Sequence, residues 1–229
     1  MYRYILFDLD GTLTDPKLGI TGCVQYALEK MGIEEPDQDK LEPFIGPPLL
    51  DSFREYYGFD EEKGQRAIAC YRERFSTIGI FENEIYPGIP QMLEKLQKAG
   101  AHLAVASSKP TVFVMRILEH FGILSCFEVV VGSELDGSRS KKDEVVRDAL
   151  AQLLHGKKIG EQKRDNMVNG QDVAMVGDRK FDVEGAKAHQ IVSVGVSYGY
   201  AAEGELEQAG ADVIAKTVEE LSEKLFRNI

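Results

Sequence analysis

The sequence predicts an α/β fold, in which a doubly wound and mainly parallel sheet carries a helical domain inserted after its first strand. Short apolar runs alternate along the chain with helical periodicities, which is typical of a parallel sheet covered by helices on both faces. One long segment near the N-terminus breaks that alternation and contains only helical spacing. The 229-residue chain is 43% hydrophobic, which is enough for one core domain and a small insert.

The alternation assigns five strands and four helices to the core. The predicted strands cover residues 4–7, 103–106, 127–131, 173–176 and 191–196. The predicted helices cover residues 89–99, 111–121, 143–154 and 181–188. The polar residues 157–171 are predicted to form a surface loop.

The inserted segment is predicted to contain three helices. Apolar residues recur at helical spacing over residues 20–31, 49–57 and 68–75, and glycine ends the first two patterns. We therefore expect two domains. They are a helical cap over residues 15–85 and an α/β core over residues 1–14 and 86–229.

Composition excludes several classes of protein. The formal net charge of −11 and the pI of about 4.9 argue against binding a nucleic acid polymer, because such proteins usually present a basic face. No apolar run approaches the ~20 residues that a membrane helix needs. Cys23, Cys70 and Cys126 are scattered and form no metal-binding pair. We expect a cytoplasmic protein with reduced thiols, either a monomer or a weak homodimer, whose partner is a small phosphorylated metabolite.

Two acidic clusters follow predicted strands. Asp8 and Asp10 end the first strand and, by alternation, point the same way from its carboxyl end, where α/β sheets bind ligands. Asp178 and Asp182 follow the fourth strand. Taken singly, the first cluster reads equally well as an Asp-Gly turn and the second as a helix N-cap. Together the carboxylates would repel one another, and a Mg²⁺ ion would remove that conflict.

A hydroxyl and a lysine complete the candidate site. Ser107 follows the second strand and can offer an anion site at a helix start, although a plain N-cap is the simpler alternative. Lys142 precedes a predicted helix and can supply a positive charge to a phosphoryl oxygen, although a single lysine is more often solvated. Lys141 remains open as the alternative lysine.

These motifs resemble those of the haloacid dehalogenase superfamily. The residues 8–12 (DLDGT), Ser107, a downstream lysine and the pair Asp178 and Asp182 match its four motifs in order, across essentially the whole chain. The helical insert is similar to the small helical cap of that superfamily. Residues 44–49 (FIGPPL) and 195–200 (GVSYGY) resemble its phosphoglycolate phosphatase group and the related bacterial 5′-nucleotidases. The lysine motif departs from the Lys-Pro that is common in this group.

The resemblance implies a Mg²⁺-dependent phosphomonoesterase. It assigns Asp8 as the nucleophile that becomes an aspartyl phosphate, and Asp10 as the general acid and base. It implies that the side chains of Asp8 and Asp178 and the backbone carbonyl of Asp10 hold Mg²⁺, and that Asp182 orients the lysine or a metal-bound water. The resemblance assigns Thr12, Ser107 and Lys142 to the phosphoryl oxygens. Gly46 and Ser108 are further predicted substrate-binding residues.

Two other functions stay open at this point. A sugar-phosphate mutase of the same superfamily would keep Asp10, whereas a dehalogenase or a phosphonatase would lack it. A non-enzymatic phospho-acceptor of receiver type would share the sheet but needs no helical insert after its first strand.

The cap is expected to determine the leaving group. The Gly46-Pro47-Pro48 loop either lies over the active site or is a simple connection between helices, and turn composition does not distinguish these. Phe53, Tyr56 and Tyr57 are predicted to be cap core because of their helical spacing. The acidic cap favours a neutral-bodied ester, such as a nucleoside 5′-monophosphate, over phosphoglycolate.

Overall fold

A computed structural model of the chain describes residues 1–156, 158–160 and 167–226. In this part of the chain there are ten strands and nine α-helices. The strands are β1 (Tyr4–Phe7), β2 (Thr14–Asp15), β3 (Glu84–Ile85), β4 (His102–Pro110), β5 (Val129–Ser133), β6 (Lys158–Ile159), β7 (Met167–Val168), β8 (Val173–Gly177), β9 (Val192–Val196) and β10 (Val213–Ala215). The helices are α1 (Lys17–Lys30), α2 (Leu49–Tyr57), α3 (Glu61–Arg74), α4 (Ile89–Lys98), α5 (Thr111–His120), α6 (Lys142–Leu153), α7 (Lys180–Ala188), α8 (Glu205–Ala209) and α9 (Val218–Phe226).

Six strands form one parallel sheet in the order β10-β9-β8-β1-β4-β5. Helices α4, α5 and α9 bury their apolar residues on one face of this sheet, and α6 and α7 bury theirs on the other. The near-continuous apolar composition of the strands follows from this double coverage. The predicted doubly wound α/β class is confirmed.

The strand β1 lies at the centre of the sheet and aligns the ends of its two neighbours. In its parallel register Phe7 lies opposite Val105 of β4 and opposite Val176 of β8. The residues that follow each of these strands therefore emerge at one edge of the sheet. This edge is the carboxyl-terminal end, where ligands of open α/β sheets bind.

The helical insert packs around an aromatic cluster. Phe44 and Phe53 are buried with ring centroids 5.0 Å apart, and Phe53 stacks on Phe59 at 5.6 Å. Tyr57 packs on this cluster, but Tyr56 is 47% exposed. The prediction of a core role is therefore wrong for Tyr56, because its position at the end of the short helix α2 faces outward.

The two segments that connect the insert to the sheet lie side by side. Strand β2, on the way into the insert, pairs antiparallel with β3 on the way out. This pairing lies at the predicted limits of the cap, residues 15 and 85, and those domain limits stay a prediction. Helix α3 continues into a five-residue π-helix, Phe75–Gly79, which brings the chain back toward the sheet.

Several element boundaries differ from the predictions. Strand β4 runs to Pro110 rather than ending at residue 106, so Ser107 lies inside an extended segment. The sixth strand, β10, and the helices α8 and α9 were not predicted, because their apolar patterns are short. Within 157–171, the predicted loop contains the paired strands β6 and β7, while residues 157 and 161–166 lie outside the described part. No helix among the described residues combines the length and apolarity needed to cross a membrane.

Candidate active site

Three buried carboxylates meet where β1 and β8 end. Asp8 follows β1 and donates its backbone N–H to the carbonyl of Val176, in the adjacent strand β8, at 2.8 Å. Asp178 follows β8, and Asp182 lies one turn into α7. One carboxylate oxygen from each of these three aspartates lies within 4.8 Å of the others. The carboxyl ends of two adjacent parallel strands thus assemble the cluster.

A buried lysine neutralises part of this charge. Nζ of Lys142 lies 2.8 Å from Oδ1 of Asp8 and 2.8 Å from Oδ1 of Asp182, and it donates a hydrogen bond to the carbonyl of Ala106 at 3.1 Å. Burial alone lowers the pKa of Lys142, but Asp182 and Asp8 outweigh burial and hold that pKa above its ordinary value. Lys141 is the exposed N-cap residue of α6. The structure therefore brings Lys142, and not Lys141, to the carboxylates.

Asp182 has both of its oxygens engaged. Oδ1 faces Lys142, and Oδ2 accepts a hydrogen bond from the backbone N–H of Arg179 at 3.0 Å. Burial raises the pKa of Asp182, and Lys142 opposes that rise. These contacts would orient Lys142, which is one of the two roles that the family resemblance implies for Asp182, and that role stays a prediction.

Asp178 is held by tight backbone packing. Its Oδ2 accepts a hydrogen bond from the backbone N–H of Tyr200 at 2.8 Å. A Cβ atom placed on Gly11 would lie 2.1 Å from that oxygen, and one on Gly199 would lie 2.5 Å from Cβ of Asp178. Gly11 also has a φ of +79°, so glycine is required there on both grounds. Burial, followed by Asp182 and Asp8, raises the pKa of Asp178 well above its ordinary value.

The donor set of this cluster fits Mg²⁺. Oδ1 of Asp178 is buried without a hydrogen-bond partner among the described residues, and Asp8 contributes a second buried oxygen beside it. Hard divalent cations prefer such carboxylate oxygens, and a cation would offset the burial of like charges. Asp8 and Asp178 are the side chains that would hold the ion. The carboxylate of Asp10 is not part of the cluster.

Asp10 is instead paired with Lys109, which is not among the residues predicted from the sequence. Nζ of Lys109 lies 2.7 Å from Oδ2 of Asp10, and both side chains are buried. Burial raises the pKa of Asp10, and Lys109 opposes the rise. The same ammonium lies 4.6 Å from the ring centroid of Phe75, which belongs to the π-helix of the insert. The signal was present in the sequence, because a lysine and Pro110 directly follow the two serines at the end of β4.

Two of the predicted hydroxyl groups, those of Thr12 and Ser107, are buried. Thr12 is fully buried, and its Oγ1 has no hydrogen-bond partner among the described residues. Ser107 is also buried, and its Oγ accepts a long hydrogen bond of 3.4 Å from the backbone N–H of Lys109. Ser107 lies three residues before the end of β4, so its prediction as a residue at a helix start is wrong. Ser108 lines the adjacent cavity.

A cavity of about 180 Å³ separates the insert from the sheet edge. Asp10, Lys109 and Ser108 lie in its wall on the core side, and Gly46 and Pro47 lie in its wall on the cap side. Its remaining lining is mainly apolar and aromatic and includes Phe44, Ile68, Tyr71, Phe75, Phe113 and Leu135. The Gly46-Pro47-Pro48 loop is therefore part of the cavity wall and not only a connection between helices.

The chain is similar to proteins of known families along most of its length. The family model of the haloacid dehalogenase-like hydrolases matches residues 5–196. A 5′-nucleotidase of Pseudomonas aeruginosa is 46% identical over 90% of this chain and 87% of that protein. Tyrosine-protein kinase PtkA of Mycobacterium tuberculosis is 39% identical over 97% of this chain and 72% of that protein.

More distant and structural relatives agree with this assignment. A phosphoglycolate phosphatase of Colwellia psychrerythraea is 29% identical over 97% of this chain and 96% of that protein. The crystal structure of a protein of Clostridium acetobutylicum, described as a predicted phosphatase, superposes with a TM-score of 0.90 at 46% identity and covers 98% of both chains. The chain therefore belongs to the haloacid dehalogenase-like hydrolases, and it is a phosphatase of that family.

Proposed function

We propose that this phosphatase hydrolyses nucleoside 5′-monophosphates, in a Mg²⁺-dependent reaction that passes through an aspartyl phosphate on Asp8. One observation supports this proposal above the others. Asp8 and Asp178 lie together in a buried cluster that fits a cation, while Asp10, two residues after Asp8, lies in the wall of the cavity. The proposed nucleophile is thus also a candidate cation ligand, and the proposed general acid lies where the leaving group would be bound.

The first step forms the phosphoenzyme. A carboxylate oxygen of Asp8 attacks phosphorus, and the bond between phosphorus and the ester oxygen breaks. Asp10 gives its proton to the departing oxygen. The raised pKa of Asp10 favours this role, because burial keeps a larger fraction of the carboxyl protonated near neutral pH.

The second step hydrolyses the phosphoenzyme. Asp10, now a carboxylate, accepts a proton from a water molecule that attacks phosphorus. The bond between phosphorus and the Asp8 oxygen breaks, so that inorganic phosphate and the free Asp8 carboxylate result. Lys109, 2.7 Å from Asp10, stabilises the carboxylate form that this step needs. Burial therefore favours the protonated form of Asp10, which acts as the acid, and Lys109 favours the carboxylate form, which acts as the base.

The charge on the phosphoryl group requires several donors. Lys142, Ser107 and Thr12 are the residues we assign to its oxygens, and the unpartnered Oγ1 of buried Thr12 supports this assignment. Bound Mg²⁺, held by Asp8 and Asp178, would supply charge stabilisation for the same group. Asp182 keeps the Lys142 ammonium in place.

The cavity supports a neutral, partly aromatic leaving group. Of its two basic lining residues, Lys109 is paired with Asp10, whereas Arg72 donates to the carbonyl of Leu135 at 2.7 Å and keeps its positive charge. Acidic residues Asp51, Glu134 and Asp136 also line it. A second carboxylate, as in phosphoglycolate, would meet three acidic side chains, against one lining guanidinium, Arg72, for which no ion pair is found among the described residues. A nucleoside offers an apolar ring and neutral hydroxyls instead.

A substrate screen tests this proposal. Phosphate release should be measured for nucleoside 5′-monophosphates, phosphoglycolate and sugar phosphates, each with Mg²⁺ and with a chelator, and for sugar phosphates also with a bisphosphate activator. We expect the highest kcat/KM for a nucleoside monophosphate and loss of turnover in chelator. Preference for phosphoglycolate, isomerisation of a sugar phosphate, or transfer of phosphate from ATP to protein tyrosine would overturn the proposal.

A further inference from the structure

An arginine of the core reaches across to the cap loop that lines the cavity. Arg179 directly follows Asp178, and its Nη1 donates a hydrogen bond of 2.8 Å to the carbonyl of Ile45. Ile45 begins the segment Ile45-Gly46-Pro47-Pro48 between the 3₁₀-helix Gln38–Phe44 and α2. The bond joins residues 134 positions apart in the sequence. It can exist only while the loop is held against the core.

Glu205 fixes the guanidinium of Arg179 in this position. Nε of Arg179 lies 2.9 Å from Oε1 of Glu205, and the two side chains are only 14% and 12% exposed. The Glu205 carboxylate also accepts backbone hydrogen bonds from Lys180 at 2.8 Å and from Ala202 at 3.2 Å. Apart from Arg179, the carboxylate is therefore anchored to the core by two backbone donors. Removing the guanidinium from this pair would leave a largely buried carboxylate without its cation, which is costly.

The loop is shaped to receive Arg179. Gly46 has a φ of +104°, and a Cβ atom placed there would lie 3.2 Å from Cγ of Arg179. A side chain at position 46 would therefore strain the backbone and press on the arginine stem. The absence of a side chain lets the loop carbonyl and the arginine approach. This contact gives Gly46 a role that does not require it to touch the substrate.

We propose that Arg179, oriented by Glu205, is a positioning residue that holds the 45–48 loop closed beside the cavity and so determines affinity for esters whose leaving group fills that cavity. The inference rests on the proposed function for the identity of that ester. Arg179 follows the candidate Mg²⁺ ligand Asp178 directly. We call the hydrogen bond from Arg179 to Ile45, with the supporting ion pair to Glu205, the clasp. The clasp joins the 45–48 loop to the core segment that carries the candidate Mg²⁺ ligand Asp178.

The test compares two substrates in the full-length protein. Acetyl phosphate has too small a leaving group to fill the cavity, whereas a nucleoside 5′-monophosphate fills it. The variants are Arg179→Met, which removes the donors, and Glu205→Gln, which removes the anchoring charge. Arg54→Met is the matched control, because the ion pairs of Arg54 among the described residues, with Glu61 and Asp51, lie within the insert.

We expect the ratio of kcat/KM for the nucleotide to that for acetyl phosphate to fall about tenfold in Arg179→Met, the size expected from a hydrogen bond to a charged group. Most of the change should be in KM. Glu205→Gln should show a smaller fall in the same direction, and Arg54→Met should match the wild type. A proportional loss on both substrates, or an unchanged ratio, would overturn the specificity role.

Hydrogen–deuterium exchange gives a readout that does not depend on activity. Peptides covering residues 41–50 should take up deuterium faster in Arg179→Met and Glu205→Gln than in the wild type and in Arg54→Met. Unchanged exchange there would overturn the clasp itself. If the wild type hydrolyses no nucleotide, the proposed function fails, while the exchange measurement still decides whether the clasp exists.

Discussion

Lys109 forms a buried ion pair with Asp10, with 2.7 Å between Nζ and Oδ2. This pair lies in the wall of the cavity, on the side where the leaving group would depart. Burial raises the pKa of Asp10 and Lys109 lowers it, so that the two effects together determine in which protonation state the carboxyl meets the substrate. The first prediction concerns this balance.

Replacing Lys109 by methionine should shift the pH dependence of phosphoenzyme formation. Without the ammonium, the pKa of Asp10 rises further above its ordinary value, so the carboxyl stays protonated to higher pH. We expect the alkaline limb of the single-turnover rate with an alkyl phosphate to move upward by about one pH unit, since a nearby opposite charge typically shifts a carboxyl pKa by 1–3 units. Lys141→Met, at an exposed lysine, should leave the limb in place. If the alkaline limb of Lys109→Met is unchanged or moves to lower pH, Lys109 does not lower the pKa of Asp10.

The second prediction separates Lys142 from Lys141 by stability. Lys142→Met leaves Asp8 and Asp182 buried without their cation, which should lower the free energy of unfolding by roughly 3–5 kcal/mol. The pKa of Asp182, already raised by burial, rises further in this variant, so the deficit should grow as pH rises. Lys141→Met should change stability by no more than about 0.5 kcal/mol. Urea unfolding in chelator measures both, and equal effects would show that Lys142 is not the partner of the carboxylates.

The third prediction concerns Asp178 in the metal-free protein. Its raised pKa means that the folded state holds the proton more tightly than the unfolded chain does. The free energy of unfolding should therefore fall as pH rises through that pKa. Asp178→Asn cannot ionise and can still accept the hydrogen bond from Tyr200. In chelator at pH 8, the free energy of unfolding of the variant should exceed that of the wild type by at least about 1 kcal/mol. This difference should shrink toward pH 5.

Adding Mg²⁺ should make the wild type more stable than Asp178→Asn. A cation that binds only the folded state raises its stability, so the Tm of the wild type should increase with Mg²⁺ concentration. Asp178→Asn lacks one of the two proposed ligand side chains and should respond much less. The same Mg²⁺ response in both proteins would show that Asp178 does not hold the ion.

The sequence contained enough information for the core of this site. Asp8, Asp178 and Asp182 were found because they follow apolar strands, and parallel neighbours bring such positions together without any detail of side-chain packing. Lys142 could be named but not separated from Lys141, because the choice depends on where α6 begins. The structure begins α6 at Lys142, whose side chain is buried against the carboxylates.

Contacts between the insert and the core could not be predicted from the sequence. The hydrogen bond from Arg179 to Ile45 spans 134 positions, and nothing in the local pattern of either residue indicates it. Lys109 was not among the predicted residues, because a single lysine is usually exposed to solvent. The placement of Ser107 failed because β4 continues to Pro110, where pairing with Ser133 of β5 extends the strand beyond its apolar run.

The most direct test of the central claim is to trap the phosphoenzyme. Asp10→Asn can still form an aspartyl phosphate from p-nitrophenyl phosphate, whose leaving group needs no proton, but it lacks the base for hydrolysis. After rapid quenching, peptides should be mapped by mass spectrometry, with the double variant Asp8→Asn/Asp10→Asn as control. We expect a burst of p-nitrophenol and one phosphoryl group on Asp8. Turnover with no phosphoenzyme, or a phosphoryl group on another residue, would contradict it.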